Sequence, residues 1–419
     1  MGVTMEHAGD SANSSVQSAT SRRKFLATAG ATGALALAGC QGGSSGGTDT
    51  VTVASLNPIS GAYSSLGPSQ VQGARLAVNH VNDNDDYDFE FELVEGDTET
   101  ESGAAQEEAQ RVVQQEQAEF VFGAISSSVA LAFNDFASSS EFVYFPGGAA
   151  VPITGSSCNE WVFRFETNTA QIAEAISAYT VNNLGSNVWF HYADYAYGQS
   201  VYDRVKSRMQ DANSDFNEVG VTTSELGSSN YGSYISQISN SDADAVVLGM
   251  TGGDEVNFTN QAADRGLIDE MAIVGPTATF QSIRAGTGAN SVGKYGGVRY
   301  VPSLETGDNQ QFVESYMDEE GSTPDNFARV GYDSIRLMAK GMNEAGSTDP
   351  EDVRDALEGG TFQTVLGDIT LREGDHQATN PTWMAEIVDG DGDLPAVELL
   401  EKVEGENTLP PASELSCDL

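Results

Sequence analysis

The chain has 419 residues, enough to bury a large core and to divide it between two lobes. Its formal net charge of −43, with lysine confined to Lys24, Lys206, Lys294, Lys340 and Lys402, excludes nucleic acid as a partner, because phosphates would be repelled. Hydrophobic residues make up 39% and recur in regular runs, which excludes an acidic disordered chain and leaves a folded protein whose self-repulsion concentrated salt would screen.

The N-terminus reads as an export address. Ser21-Arg22-Arg23-Lys24-Phe25-Leu26 carries the paired arginines of a twin-arginine signal, and Ala27 to Ala38 is a small-residue apolar segment too short and glycine-rich for a membrane span. Leu37-Ala38-Gly39-Cys40 then looks like a lipobox, so residues 1–39 are expected to be cleaved and Cys40 to carry lipid. Residues 40–50, rich in glycine and serine, form a flexible tether. Cys158 and Cys417 remain; in an exported chain an even remainder suggests a disulfide tying the C-terminus to a first-lobe loop, with two free thiols as the alternative. Neither these cysteines nor the four scattered histidines have metal-site spacing, so no metal or cofactor is expected.

From Val51 strand-like and helix-like segments alternate. Val51 to Leu56 is a strand, the turn Asn57 to Gly61 leads to a helix through Gln72 to Val78, Phe89 to Val94 is a second strand, and Ala104 to Gln117 is a helix. Phe120-Val121-Phe122 is a buried strand, Gly123 allows a tight turn, and Ser126, Ser127 and Ser128 stand where a helix begins. Such a turn can cradle a carboxylate, and one serine could equally cap the helix. Phe142 to Phe145 is the next strand. After Phe163-Arg164 the rhythm restarts: helix Ala170 to Leu184, strand Asn187 to His191, helix Gln199 to Met209, strand Ala245 to Gly249, a helix through Phe258 to Arg265 and strand Met271 to Val274. Helices follow between Phe312 and Leu357, then hairpin-like segments around Phe362 to Leu371 and Trp383 to Val388. The pattern predicts an α/β protein of two Rossmann-like lobes with parallel sheets joined by a multi-strand hinge, with the ligand at the carboxyl ends of the strands. The first lobe is expected to comprise residues 51–166 plus 300–376, and the second 167–299 plus 377–419.

Taken together, Ser60-Gly61 with Gly67, Gln72-Gly73-Ala74-Arg75-Leu76-Ala77, Asp97, Phe122-Gly123 with its serines, and Pro146-Gly147-Gly148-Ala149 form one ordered series. It continues through Phe163-Arg164, Tyr197-Gly198, Gln261-Ala262, Gly266-Leu267 and Gly275-Pro276. In order and spacing it resembles the type I periplasmic solute-binding proteins of the branched-chain amino-acid, urea and amide class, which feed ABC importers. The resemblance implies an extracytoplasmic, non-enzymatic receptor that closes on a small polar ligand and presents it to a membrane permease with its ATPase; a receptor that signals through a chemotaxis partner is the alternative. It places the ligand carboxylate near Ser127 and Ser126, the backbone of Ala149 and Ala150 beside it, and Tyr197 over it from the second lobe, with Tyr63, Thr251 and Thr277 completing the candidate set. Two positions depart from the amino-acid-binding pattern. Ala150 stands where a threonine is expected, and Thr277 stands where an acidic residue would pair an α-ammonium, so Asp194 or Asp254 would have to replace it or the ligand has no ammonium.

Other motifs carry less. Gly288 to Lys294 has the spacing of a phosphate loop but is followed by Tyr295 and reads as a surface loop, and Asp389 to Asp393 imitates a calcium loop but reads as a solvated hairpin turn. The sequon Asn257-Phe258-Thr259 falls in a predicted helix. No Gly-x-Ser-x-Gly elbow or placed histidine base accompanies the serines, which argues against a hydrolase.

Overall fold

The computed structural model describes residues 49–390, 392, 394–417 and 419; the export signal, Cys40 and almost all of the tether lie outside the described residues, as do Asp391 and Asp393 of the acidic turn. Strands β1 (Asp49–Asn57), β2 (Phe89–Asp97), β3 (Phe120–Gly123) and β4 (Val143–Pro146) form a parallel sheet in the order 2-1-3-4. Helices α1 (Gly67–Asn82), α2 (Ser102–Gln114) and α3 (Ser127–Ser140) connect them. Phe120, Val121 and Phe122 are fully buried, as a parallel strand covered on both faces requires, and each contributes about 1.5–3 kcal/mol of hydrophobic stabilisation.

The second unit begins with α4 (Thr169–Tyr179), whose start is fixed by a capping box between Asn168 and Gln171. It continues through β5 (Asn187–Ala193), α5 (Ala196–Ala212), β6 (Asn217–Ser224), α6 (Gly232–Ser239), β7 (Ala245–Gly249), α7 (Gly252–Asp264) and α8 (Leu267–Glu270), then β8 (Ala272–Gly275), α9 (Gln281–Thr287) and β9 (Tyr295–Val298). The five strands are parallel in the order 6-5-7-8-9, repeating the reversal of strand order seen in the first sheet. The chain then supplies α10 (Asn309–Glu320), α11 (Asn326–Ala345) and α12 (Pro350–Leu357) and the antiparallel hairpin of β10 (Thr361–Thr364) and β11 (Gly367–Thr370). It ends with β12 (Thr382–Val388) and β13 (Ala396–Val403), which extend the second sheet antiparallel beyond β9. The second sheet is therefore mixed rather than wholly parallel.

The C-terminal helices return to the first sheet. α11 lies against α1, and the contact demands glycine on both sides: a Cβ on Gly73 would sit 1.9 Å from the Ala328 carbonyl oxygen, and one on Gly331 2.1 Å from that of Gln70. Three segments thus run between the sheets, and buried amides bind them. Asn380 donates to the Phe165 carbonyl at 2.6 Å, and the Gln377 side chain donates to the Glu166 carbonyl at 3.0 Å. Cys158 and Cys417 are joined by a disulfide across a sequence separation of 259 residues, with their Cα atoms 5.8 Å apart.

Three strands are not named in the sequence reading: β13, beyond the acidic turn, and two in the parallel part of the second sheet. β6 is a half-exposed edge strand with weak apolar alternation, and β9 is Tyr-Gly-Gly-Val, whose glycines read as a turn until they are seen packed under α4 and against Gly275. The loop reading of Gly288 to Lys294 is corrected at its end. Lys294 is fully buried, 3.2 Å from a fully buried Glu255 and 2.7 Å from the Thr259 hydroxyl, because a tertiary partner rather than solvent takes its charge.

Candidate functional site

Both sheets present the carboxyl ends of their strands to the space between the lobes, and the chain just past those ends encloses a cavity of about 20 Å³, room for about one water molecule. Tyr63 reaches it from the turn after β1, Ile125 from beyond β3, and Gly147 and Ala149 from beyond β4. Tyr195 and Tyr197 follow β5, Thr251 follows β7, Thr277 follows β8 and Arg299 is the residue immediately after β9. Phe280, at the N-cap of α9, and Phe327, in the first turn of α11, complete the wall with their rings 5.1 Å apart and edge to face.

The first-lobe wall is held by its own backbone. Gly123, at φ +128°, brings β3 so close to β1 that a Cβ would meet the Leu56 carbonyl oxygen at 2.1 Å. Asp97 accepts from the backbone N–H of Ile59 at 2.9 Å, Ser60 at 3.2 Å and Glu99 at 2.8 Å, fixing the turn that carries Tyr63. Partial burial works to raise the Asp97 pKa, but these hydrogen bonds outweigh it and hold the carboxyl below its ordinary value. Behind β4, the fully buried Arg164 donates to the Ala150 carbonyl at 2.6 Å and to the Thr154 hydroxyl and Gln377 amide oxygen at 2.5 Å each; burial lowers its pKa to about 9, opposed by Asp375 and Glu166.

Of the residues singled out in the sequence, Tyr63, Ala149, Tyr197, Thr251 and Thr277 come together around the cavity, while Ser126, Ser127 and Ala150 stand behind it. The reason is local. The Ser127 hydroxyl accepts the Ala150 N–H at 3.1 Å, so the helix start and the β4 loop satisfy each other. Ser126 occupies the N-cap of α3 without a side-chain capping bond, and its buried hydroxyl has no partner among the described residues. Of the carboxylates considered as substitutes for the missing acid, Asp194 is exposed, and the buried Asp254 accepts from the Gly227 N–H at 3.0 Å outside the lining.

The second-lobe wall is aromatic and stands on buried charge. The Thr277 hydroxyl lies 2.6 Å from a Glu255 oxygen and 3.0 Å from the Met250 carbonyl, and Glu255 is paired in turn with Lys294. The Tyr63 hydroxyl donates to that of Tyr195, a hydrogen bond between the lobes. Burial pushes both phenols well above their ordinary pKa and lifts Tyr197 to about 12 against the pull of Arg299, so all three stay neutral donors. Arg299 is buried, pairs with a fully buried Glu166 at 3.1 Å, and keeps an Nε with no partner among the described residues. Thr251 Oγ1 and both side-chain polar atoms of Gln70, which faces Gly147, are also buried without partners among the described residues.

Sequence reasoning missed Tyr195, Phe280, Arg299 and Phe327. Tyr195 was available two positions before Tyr197 at the same strand end. Arg299 follows a glycine strand that could not be seen, and the two phenylalanines come together only through tertiary packing.

Comparison with known proteins bears on this geometry. A family model described as periplasmic binding protein matches residues 50–393. A Leu/Ile/Val-binding protein homolog 7 from Brucella abortus is 26% identical over 346 residues, covering 77% of this chain and 84% of the relative. A leucine-, isoleucine-, valine-, threonine- and alanine-binding protein from Pseudomonas aeruginosa is 23% identical over 337 residues, covering 78% and 86%. Among solved structures, an amino acid ABC transporter substrate-binding protein from Pseudomonas fluorescens superposes with a TM-score of 0.79 at 23% identity, covering 88% of this chain and 99% of that one. A solute-binding protein of an ABC transporter from R. palustris, in complex with benzoate, superposes at 0.76 and 23% identity, covering 85% and 98%. These relatives are binding proteins, not enzymes.

Proposed function

The chain belongs to the periplasmic binding protein family, and from that premise we propose that it is the extracytoplasmic receptor of an ABC importer, capturing a small organic solute between its lobes and presenting the closed form to a permease and its ATPase. The observation that carries this reading is the cavity itself. Residues of both lobes line it at the carboxyl ends of two sheets, and two of them, Arg299 and Thr251, have a buried polar atom, Nε and Oγ1, with no partner among the described residues. The first lobe is taken as residues 51–166 plus 300–376 and the second as 167–299 plus 377–419, so that closure bends the three crossing segments. The ligand falls within the range from amino acids to aromatic acids bound by relatives, contacting Tyr63, Ala149, Tyr197, Thr251 and Thr277, with Ser126 at the rear. Twin-arginine export and a lipid on Cys40 keep the receptor at the outer face of the membrane, and its acidic surface suits multimolar salt.

A thermal-shift screen of the mature protein in multimolar salt tests this against amino acids, urea, short amides and aromatic acids. A ligand present at 100 times its Kd stabilises by about 2.7 kcal/mol and raises Tm visibly. A screen in which no small solute moves Tm sinks the reading.

A further inference from the structure

Among the described residues that line the cavity, Arg299 is the charged one, and five of the others are aromatic: Tyr63, Tyr195, Tyr197, Phe280 and Phe327. The lining therefore carries a positive charge inside a protein whose net charge is −43. Glu166 offsets part of it. Its two oxygens take Arg299 at 3.1 Å and the Asn326 amide at 3.1 Å, while a second guanidinium, that of the fully buried Arg329, shares the field of the same carboxylate and has its own Nε and Nη1 without partners among the described residues. Arg164 feels that carboxylate as well, so three guanidiniums share the field of Glu166. Arg299 keeps an Nε with no partner among the described residues and a long 3.5 Å contact from Nη2 to the hydroxyl of Tyr197, another lining residue, which is donor capacity that a planar anion would take up once it reaches the guanidinium.

Among the described residues that line the cavity, no carboxylate is present to pair an ammonium. Glu255 is used by Lys294 and Thr277, Glu166 by Arg299 and Asn326, and Asp254 lies outside the lining. A buried ammonium beside Arg299 would add like-charge repulsion to an unpaid desolvation cost. Cation–π attraction could still hold one, but the ring of Phe280 already has the Arg299 guanidinium 5.3 Å from its centroid, and a second cation there would meet it as a like charge.

Resting on the solute-receptor reading above, we propose that the cleft, once its lobes part from the arrangement that leaves room for about one water molecule, selects a monocarboxylate that carries an aromatic ring and no ammonium group, with Arg299 reading the carboxylate and the five rings facing the body. This makes Arg299 the residue that determines specificity and removes amino acids from the substrate range.

Matched pairs test it by calorimetry on the mature protein in multimolar salt. Benzoate should bind at least about tenfold more tightly than benzamide, which keeps the ring and loses the charge, and 3-phenylpropionate should exceed phenylalanine, which adds the ammonium, by a similar factor. Benzoate should also exceed cyclohexanecarboxylate. Equal binding within any pair, or tighter binding of leucine or glycine betaine than of benzoate, overturns the proposal. Binding of urea, amides or amino acids with none by aromatic acids overturns it while leaving the receptor reading intact; a complete lack of small-solute binding removes both. R299Q should abolish the preference for benzoate over benzamide and R299K should restore part of it; an R299Q protein that keeps the wild-type ratio overturns the role of Arg299. Should R299Q not fold, the wild-type pairs and R299K decide.

Discussion

The two walls of the cleft are built on different principles. The first-lobe wall combines the small residues Gly147 and Ala149 with Tyr63, Ile125 and Phe327, and its loops are held by polar groups of the same lobe: Ser127 takes the Ala150 N–H, Asp97 takes three N–H groups, and Arg164 fills the carbonyls behind β4, while the Ser126 hydroxyl and the Gln70 amide have no partner among the described residues. The second-lobe wall is made of large aromatic side chains standing on a fully buried ion pair, Glu255 with Lys294, through the Thr277 hydroxyl. The difference teaches where ligand choice resides. A wall whose loops are pinned by hydrogen bonds within its own lobe sets shape and closure, whereas a wall of rings and one under-used guanidinium can change its preference by single substitutions.

The comparison breaks most sharply at the ion pair. K294M leaves the Glu255 carboxylate buried without its cation and should cost about 3–5 kcal/mol, with early melting of the second lobe. The double variant E255Q/K294M removes both charges and should recover much of the loss. Urea unfolding of the three proteins measures this; a K294M protein as stable as wild type would show that the pair does not support the wall.

Acid should find the second lobe next. Burial alone lowers the pKa of His191, packed against Tyr231, Tyr234 and Phe258, from 6.5 to about 4. The unfolded chain therefore binds the proton more readily, and the stability contributed by neutral His191 is present above pH 6.5 and lost as pH falls toward 4, by about 3 kcal/mol in all. His80 and His376 are lowered too, again chiefly by burial, so the H191F protein isolates the second-lobe share. Its Tm should fall less between pH 7 and pH 4.5 than that of wild type. Parallel curves would refute the assignment.

On the first-lobe side the expected effect is smaller and of another kind. S127A leaves the buried Ala150 N–H without an acceptor and should cost about 1–2 kcal/mol, while the ranking of ligands stays as in wild type. A changed ranking would place Ser127 in contact with the ligand.

The sequence shows the first wall far better than the second, and the reason is physical. Its features are local: the turn at Gly123, the serines at a helix start and the glycines after β4 all lie within a few residues of the groups they serve. The two-lobe α/β rhythm is legible for the same reason, since buried parallel strands are short apolar runs. The second wall depends on pairings far apart in sequence. Glu255 meets Lys294 across 39 residues, Arg299 meets Glu166 across 133, and Phe280 meets Phe327 only when a C-terminal helix returns to the first sheet. Lysine in a glycine-rich segment looks solvated until its partner is known, and the missing acid at Thr277 becomes intelligible once Glu255 is found beneath it.

The walls meet at one hydrogen bond, from the Tyr63 hydroxyl to that of Tyr195, with the rings edge to face and their centroids 6.3 Å apart. Tyr63 belongs to the first-lobe wall, its own N–H 3.1 Å from the Thr100 hydroxyl and its turn pinned by Asp97. Tyr195 belongs to the aromatic one. Phenylalanine at 195 keeps the ring packing and removes the bond, so Y195F should lose about 1 kcal/mol or less of closed-state stability, seen as faster ligand release with little change in ligand ranking. Y63F should behave alike, and the double variant should be no worse than either single one, because one bond is lost in each case. Additive losses from the two substitutions would mean that the hydroxyls act separately, each on the ligand, and that neither wall holds the other closed.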